Sequence, residues 1–162
     1  MTLTILSATT DDHAAIWAIL KPIFRAGETY AQPCDISRDA ALAYWLGGIH
    51  TAFVARQNGQ TLGTYYIGPN QLGGGAHVCN CGFATAESAR GKGVARAMLL
   101  HSLETARQQG FRAMQFNFVV ATNQAALKIW FDNGFAEVGR LPGAFHHPRD
   151  GYVDALVLYK CL

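Results

Sequence analysis

Apolar and polar positions alternate with two periods along this chain, and each change of period marks a new element. Alternation over residues 3–6 predicts a short strand. Thr9 and Thr10 then supply N-cap side chains, with Asp11 and Asp12 favoured beside the positive end of a helix. Ile16, Ile19, Leu20, Ile23 and Phe24 recur at the spacing of one helical face, so that helix runs to about Ala26. Gly27 sits just past its end, and Pro22 is a candidate kink. Ser37 opens a second helix over 38–46, stopped by Gly47 and Gly48. Strand patterns at 51–55 and 61–67 flank Asn58-Gly59, a pair that favours the tight turn of a hairpin. Residues 76–85 read as a further strand, in which Gly82 marks a bulge or a close approach of backbone. A long helix follows from about Gly93 to Gln109, with Ala95, Leu99, Leu103 and Ala106 on one stripe. A strand over 112–120, a helix over 123–133 closed by Gly134, and strands over 135–141 and 152–162 complete the pattern. His146 to Asp150 read as a loop. The order predicts a mixed α/β sheet of six to seven strands flanked by about four helices, in one domain over residues 1–162.

Composition narrows the class. Hydrophobic residues make up 50% of the 162 positions and charged residues 15%, which excludes a disordered chain or a coiled coil. A domain this size buries about 70% of its unfolded surface and needs no metal or disulfide staple. The net charge of +2, without dense Lys/Arg runs, gives no nucleic-acid footprint. No apolar run approaches the ~20 residues that span a bilayer. The first six residues lack the basic start and long apolar stretch of a signal peptide, so a cytoplasmic protein acting away from membranes is expected. Cys79 and Cys81 share one strand face and, with Cys34 and Cys161, read as reduced thiols. His146, His147 and Asp154 are the residues to weigh for a metal. Adjacent histidines do not converge on one point, and no third ligand follows the usual spacing, so no metal is expected.

The segment Arg90-Gly91-Lys92-Gly93-Val94-Ala95-Arg96 carries the most chemistry. It follows a strand and opens a helix, where backbone N–H groups lack partners and the helix dipole is positive. Gly91 and Gly93 allow backbone to approach a bulky anion, and the three basic side chains surround it, so a diphosphate fits. The glycine spacing matches neither a dinucleotide fingerprint nor a nucleoside-triphosphate loop.

These residues resemble the GNAT superfamily of acyl-CoA-dependent N-acetyltransferases. Its phosphate motif matches Arg90, Gly93 and Ala95. Its second motif matches Asn123, Ala126, Leu127, Ile129, Trp130 and the pair Gly134-Phe135. The resemblance implies a GNAT fold with a splayed central strand pair, and acetyl-CoA as co-substrate. It implies cofactor contacts from Phe83, Ala84 and Thr85, from Arg90 through Arg96 (Gly91, Lys92, Gly93, Val94 and Ala95 between them), and from Asn117, Asn123, Ala126 and Trp130. A bulge near Gly82 would aim an N–H at the acetyl carbonyl, where a donor stabilises charge in the transition state. Many family members carry Tyr where this chain has Trp130, and an indole is not a usable acid, so either water or another group such as Tyr152 supplies the proton or the thiolate leaves unprotonated.

Asn80, Asn117 and Asn123, with Trp130 and the segment Gly27-Glu28-Thr29-Tyr30, are similar to a branch that includes azetidine-2-carboxylate acetyltransferases. That similarity implies that Asn80 orients the acceptor or the reacting carbonyl, beside Glu28, Thr29 and Tyr30 as acceptor contacts; His77, by its place in a strand, is a base candidate at the same pocket. Only Glu28, Asp35, Asp150 and Asp154 among the acids are expected to face an acceptor, too few for a polyamine. A small amino or imino acid, its carboxylate met by Arg25 or Arg149, is the expected acceptor. Acetylation of protein N-termini or lysines, and an acyl-CoA-binding module without transfer, are the alternatives. A homodimer is compatible with all three.

Overall fold

Seven strands form one sheet in the order β1-β2-β3-β4-β5-β7-β6. They are β1 (Thr4–Ser7), β2 (Thr51–Gln57), β3 (Gln60–Pro69), β4 (Val78–Thr85), β5 (Ala113–Val120), β6 (Ala136–His147) and β7 (Gly151–Cys161). The helices are α1 (His13–Ala26), α2 (Arg38–Leu46), α3 (Val94–Gln108) and α4 (Gln124–Asp132). The computed structural model describes residues 2–162; Met1, the first residue of the N-terminal segment read above, lies outside the described residues. None of the described helices is long and apolar enough to cross a membrane.

The two-residue period of the strands sorts side chains onto two cores. On one face Val54, Tyr66 and Ala84 pack against Ile16, Leu20 and Phe24 of α1 and Trp45 of α2. On the other, Tyr65, Cys79, Cys81, Met114 and Leu158 pack against Met98 and Leu99 of α3 and Trp130 of α4. Asn58 (φ 53°) and Gly59 (φ 78°) both take the left-handed conformation that the tight β2–β3 hairpin requires. The expected N-cap at Thr9 and Thr10 leads first into a single 3-10 turn, Thr10–Asp12, whose buried Asp12 carboxylate accepts the Thr9 N–H at 2.8 Å and pairs with Arg56. Pro22 does not interrupt α1.

Two features depart from the sequence pattern. β6 continues through Pro142 to His147, so His146 and His147 belong to a strand and not to a loop. As the edge of the sheet, β6 tolerates a proline; its register against β7 shifts between Leu141 and Phe145, where Pro142 and Gly143 sit. Nor is there a bulge at Gly82: the β3/β4 register runs unbroken from Gly63↔Thr85 to Pro69↔Cys79. Gly82 faces Tyr66 across the ladder, and a Cβ added there would lie 2.3 Å from the Tyr66 ring. The glycine therefore serves the close approach. The extra residue sits in β5, where Phe116 pairs with Leu158 but Val119 pairs with Leu156.

Candidate active site

Five of the six strand pairings are antiparallel; β4 and β5 run parallel and pair only through Val78↔Ala113 and Cys79↔Met114. Beyond that point the strands diverge, because the extra residue at Asn117–Phe118 bends β5 toward β7. Side chains take over where the ladder ends. The Asn80 carboxamide, one residue past the last pair, donates from Nδ2 to the Gln115 carbonyl at 2.9 Å. Gln115 in turn donates to Asn117 at 2.8 Å, and Asn117 donates to Asn70 at the end of β3 at 2.6 Å. A carboxamide chain thus closes the vertex of a V whose arms carry backbone groups without a sheet partner.

The V opens into a cleft of about 910 Å³. At one end lies the Arg90–Arg96 turn. Gly91 (φ 72°) and Gly93 (φ 80°) are left-handed, and an added Cβ would meet nothing within 4 Å, so their backbone is open to a ligand. Among the described residues, no backbone carbonyl receives the N–H of Val94, Ala95 or Arg96. These donors, the positive end of α3 and the Arg90 and Arg96 guanidiniums together fit a diphosphate. Asn123 is the N-cap of α4 without a side-chain cap bond, and it lines the cleft instead. Trp130, 6% exposed, packs on Phe83 at 5.1 Å and Phe116 at 5.0 Å and forms the apolar floor between the arms of the V.

The opposite end is built by the segment between α1 and α2 and by the β6–β7 turn. Tyr30 donates its hydroxyl to the Phe83 carbonyl at 2.7 Å, anchoring its segment on β4. Arg25 bonds the carbonyls of Cys34 and Ile36, so it braces that segment and faces no acceptor. Glu28 reaches across to Arg149 at 3.2 Å. Tyr66 lies over Gly82, with its hydroxyl 3.3 Å from that of Tyr44 and its ring stacked on His50 at 4.0 Å. Burial pushes the Tyr30 and Tyr66 hydroxyls well above the usual phenol range, so both are neutral O–H groups near neutral pH.

Most of the residues expected at the site line this one cleft: Asn80, Gly82 to Thr85, Arg90, Gly91, Gly93 to Arg96, Asn117, Asn123, Ala126, Trp130 and Glu28 to Tyr30. Lys92 is exposed and does not line it. His77 is misplaced in the sequence reading. It precedes β4 at the far end of the sheet, exposed in a separate groove with Arg112 and Cys161, because the strand starts only at Val78. Tyr152 is 77% exposed and stacks on His146 outside the cleft, so it offers no proton there. Asp154 is turned away as well; it accepts the Gly143 N–H at 3.0 Å and pairs with Arg140, which hold its carboxyl below the ordinary range. Asp35 does not line the cleft either. Among the described residues no group of three or more His, Cys, Asp or Glu side chains is arranged to hold a metal ion. The Tyr44–Tyr66 contact and the burial of His147 were not foreseen from the sequence, since both depend on contacts distant in sequence.

A mixed sheet forked at its centre, with a glycine-rich helix start at one end of the fork, is the architecture of an acyl-CoA-type binding fold. The chain belongs to the acetyltransferase (GNAT) family, whose model matches residues 13–135. Over its whole length it is similar to a GCN5-related N-acetyltransferase from Kribbella flavida, with a TM-score of 0.94, 40% identity, and coverage of 99% of this chain and 98% of that one. The fold is shared with yncA of Salmonella typhimurium, solved with its cofactor acetyl-CoA, at a TM-score of 0.85 and 21% identity, covering 100% of this chain and 95% of that one. The N-acetyltransferase aca1 of Schizosaccharomyces pombe is 37% identical over 102 residues, 59% of this chain; the match spans 46% of aca1, less than half its length.

Proposed function

We propose that this chain moves an acetyl group from acetyl-CoA directly to the amine of a small amino or imino acid. The observation that carries the reading is the single cleft that joins the diphosphate-type turn, the open arms of the β4/β5 fork and a polar end lined by Glu28, His147 and Arg149. The turn from Arg90 to Arg96 would hold the diphosphate, and the β4 backbone from Phe83 to Thr85 would hold the pantetheine arm as an added strand. Bound there, acetyl-CoA supplies an activated thioester. Gly82 brings the β4 backbone and the Tyr66 hydroxyl to the same point of the cleft, and a neutral O–H donor there favours an oxygen that gains negative charge. Trp130 and Phe83 exclude water from the floor. Trp130 cannot deliver a proton and burial holds the Tyr66 proton too firmly to be given up, so the departing thiolate takes its proton from water, which also carries away the proton the amine releases.

Transfer is direct. Cys79 is buried, bonded to the Ala113 carbonyl and does not line the cleft; Cys81 does line it, but burial pushes its thiol up, so it offers no thiolate there. The test is thiol release from acetyl-CoA in the presence of amino acids, imino acids and a lysine peptide. Release dependent on a small amine, with no acetyl group on either cysteine by mass spectrometry, is expected. Affinity for CoA without acceptor-dependent release would identify a binding module, and release by the peptide alone would identify a protein acetyltransferase.

A further inference from the structure

His147 is one of the few buried polar residues of the molecule, 3% exposed, yet it lines the cleft. The N–H groups of Arg149 and Asp150 both point at its Nδ1 at 3.2 Å. Two donors aimed at one ring nitrogen make it an acceptor, so the neutral ring carries its hydrogen on Nε2. The Asp150 carboxylate lies 3.2 Å from the same Nδ1. In the neutral ring so defined, Nε2 is a donor. Among the described residues no side-chain nitrogen or oxygen is both sealed from solvent and unbonded. Nε2, which has no partner, is therefore the atom through which this buried ring meets the cleft.

Two residues on, the Arg149 side chain projects over the same end, largely exposed, and among the described residues Glu28 at 3.2 Å is its one ionic partner. An exposed pair of this kind contributes little stability and opens at small cost. A carboxylate entering the cleft would find a fixed N–H from His147 and a guanidinium that can exchange Glu28 for it. Glu28 would then face the positive amine of the same molecule. The arrangement is complementary to a zwitterion, in which both of the protein's charges keep an opposite partner.

We infer that His147 and Arg149 form a seat for the acceptor's carboxylate, with Glu28 opposite the amine, so that the acceptor class is a free α-amino or imino acid. This rests on the acetyl-transfer reading for its biological meaning, but the seat can be tested by binding alone. Calorimetry with the full chain saturated with CoA would use the common amino acids and azetidine-2-carboxylate, and then the carboxamide of each compound that binds. Each acid should bind about 10- to 100-fold tighter than its carboxamide, the range expected for charge-assisted hydrogen bonds. Arg149→Gln, at an exposed position that does not threaten folding, should erase most of that ratio while leaving carboxamide and CoA affinities unchanged. Arg149→Lys should restore part of it. Equal affinity for acid and carboxamide, or no binding of any acid, overturns the seat. Carboxylate-dependent binding without thiol release would overturn the transferase reading and leave the seat intact. Turnover of amines regardless of a carboxylate would do the reverse.

Discussion

Gly82 and Tyr66 act as one unit. The ring of Tyr66 is packed by Trp45 at 4.9 Å and His50 at 4.0 Å, so it cannot retreat from a methyl group placed 2.3 Å from its edge. Gly82→Ala should therefore cost about 1–3 kcal/mol of stability through overpacking. At roughly 2–4 °C per kcal/mol for a chain of this size, a drop of several degrees in melting temperature is expected by calorimetry. An unchanged melting temperature would mean that the close approach is not real. The sequence marked Gly82 as exceptional but could not say why, because the reason is a residue on the neighbouring strand.

On the other face, Tyr65 bonds the Nδ1 of His101 at 2.7 Å, and partial burial lowers the His101 pKa below its ordinary value of 6.5. The unfolded chain therefore takes up the proton first as pH falls. Stability from this site is complete above about pH 6.5 and declines below it until the folded state is protonated as well. Melting temperatures between pH 8 and 5.5 should fall less steeply in His101→Gln than in the parent, and identical slopes would remove His101 as the cause.

Among the elements, the fork shows how far pattern reading reached. The order of strands and helices, the hairpin at Asn58-Gly59 and the glycine-rich turn that opens α3 were all legible, since each is fixed by local period or by residues adjacent in sequence. The bend that opens the sheet was not. It comes from a register shift between β5 and β7, a relation that exists only once both strands are paired. The long reach of β6 was hidden for a similar reason: Pro142 reads as a strand end unless the strand is known to be an edge.

The Asn80–Gln115 bond changes what is expected of Asn80. A residue that orients the acceptor would leave acetyl-CoA affinity untouched when replaced. A residue that fixes the angle of the fork would not. Asn80→Ala removes one hydrogen bond, worth about 1 kcal/mol, and should raise the KM for acetyl-CoA several-fold. Asn80→Asp sets a carboxylate against the Gln115 carbonyl and should raise it further. Steady-state kinetics with acetyl-CoA and acceptor varied separately decide the matter: a fall in kcat at unchanged acetyl-CoA KM would return Asn80 to the acceptor.

At the scale of the molecule, the end of the cleft proposed to take the acceptor is assembled from segments far apart in the chain, Glu28 after α1 and His147 with Arg149 beside the β6–β7 turn. Their types were visible in the sequence, and so was a role for Arg149 toward a carboxylate. Their meeting was not, because it follows from the extension of β6 and from the Tyr30 anchor on β4.

The two-pair parallel joint between β4 and β5 has a consequence for how the protein should breathe. Strands β1 to β4 and strands β5 to β7 are each continuously antiparallel, so the sheet is two cooperative blocks joined at a weak seam. Amide protons that face into the fork from 83–85 on β4 and from 116–119 on β5, every other one along each arm, should exchange with deuterium far faster than those of β3 or β7. A ligand that spans both arms bridges the seam, and at a hundred times its dissociation constant it adds about 2.7 kcal/mol to the folded state. Exchange followed by mass spectrometry with and without acetyl-CoA should therefore show slowing concentrated on both sides of the seam. Slowing on β4 alone would mean that the two blocks are not coupled through the cleft.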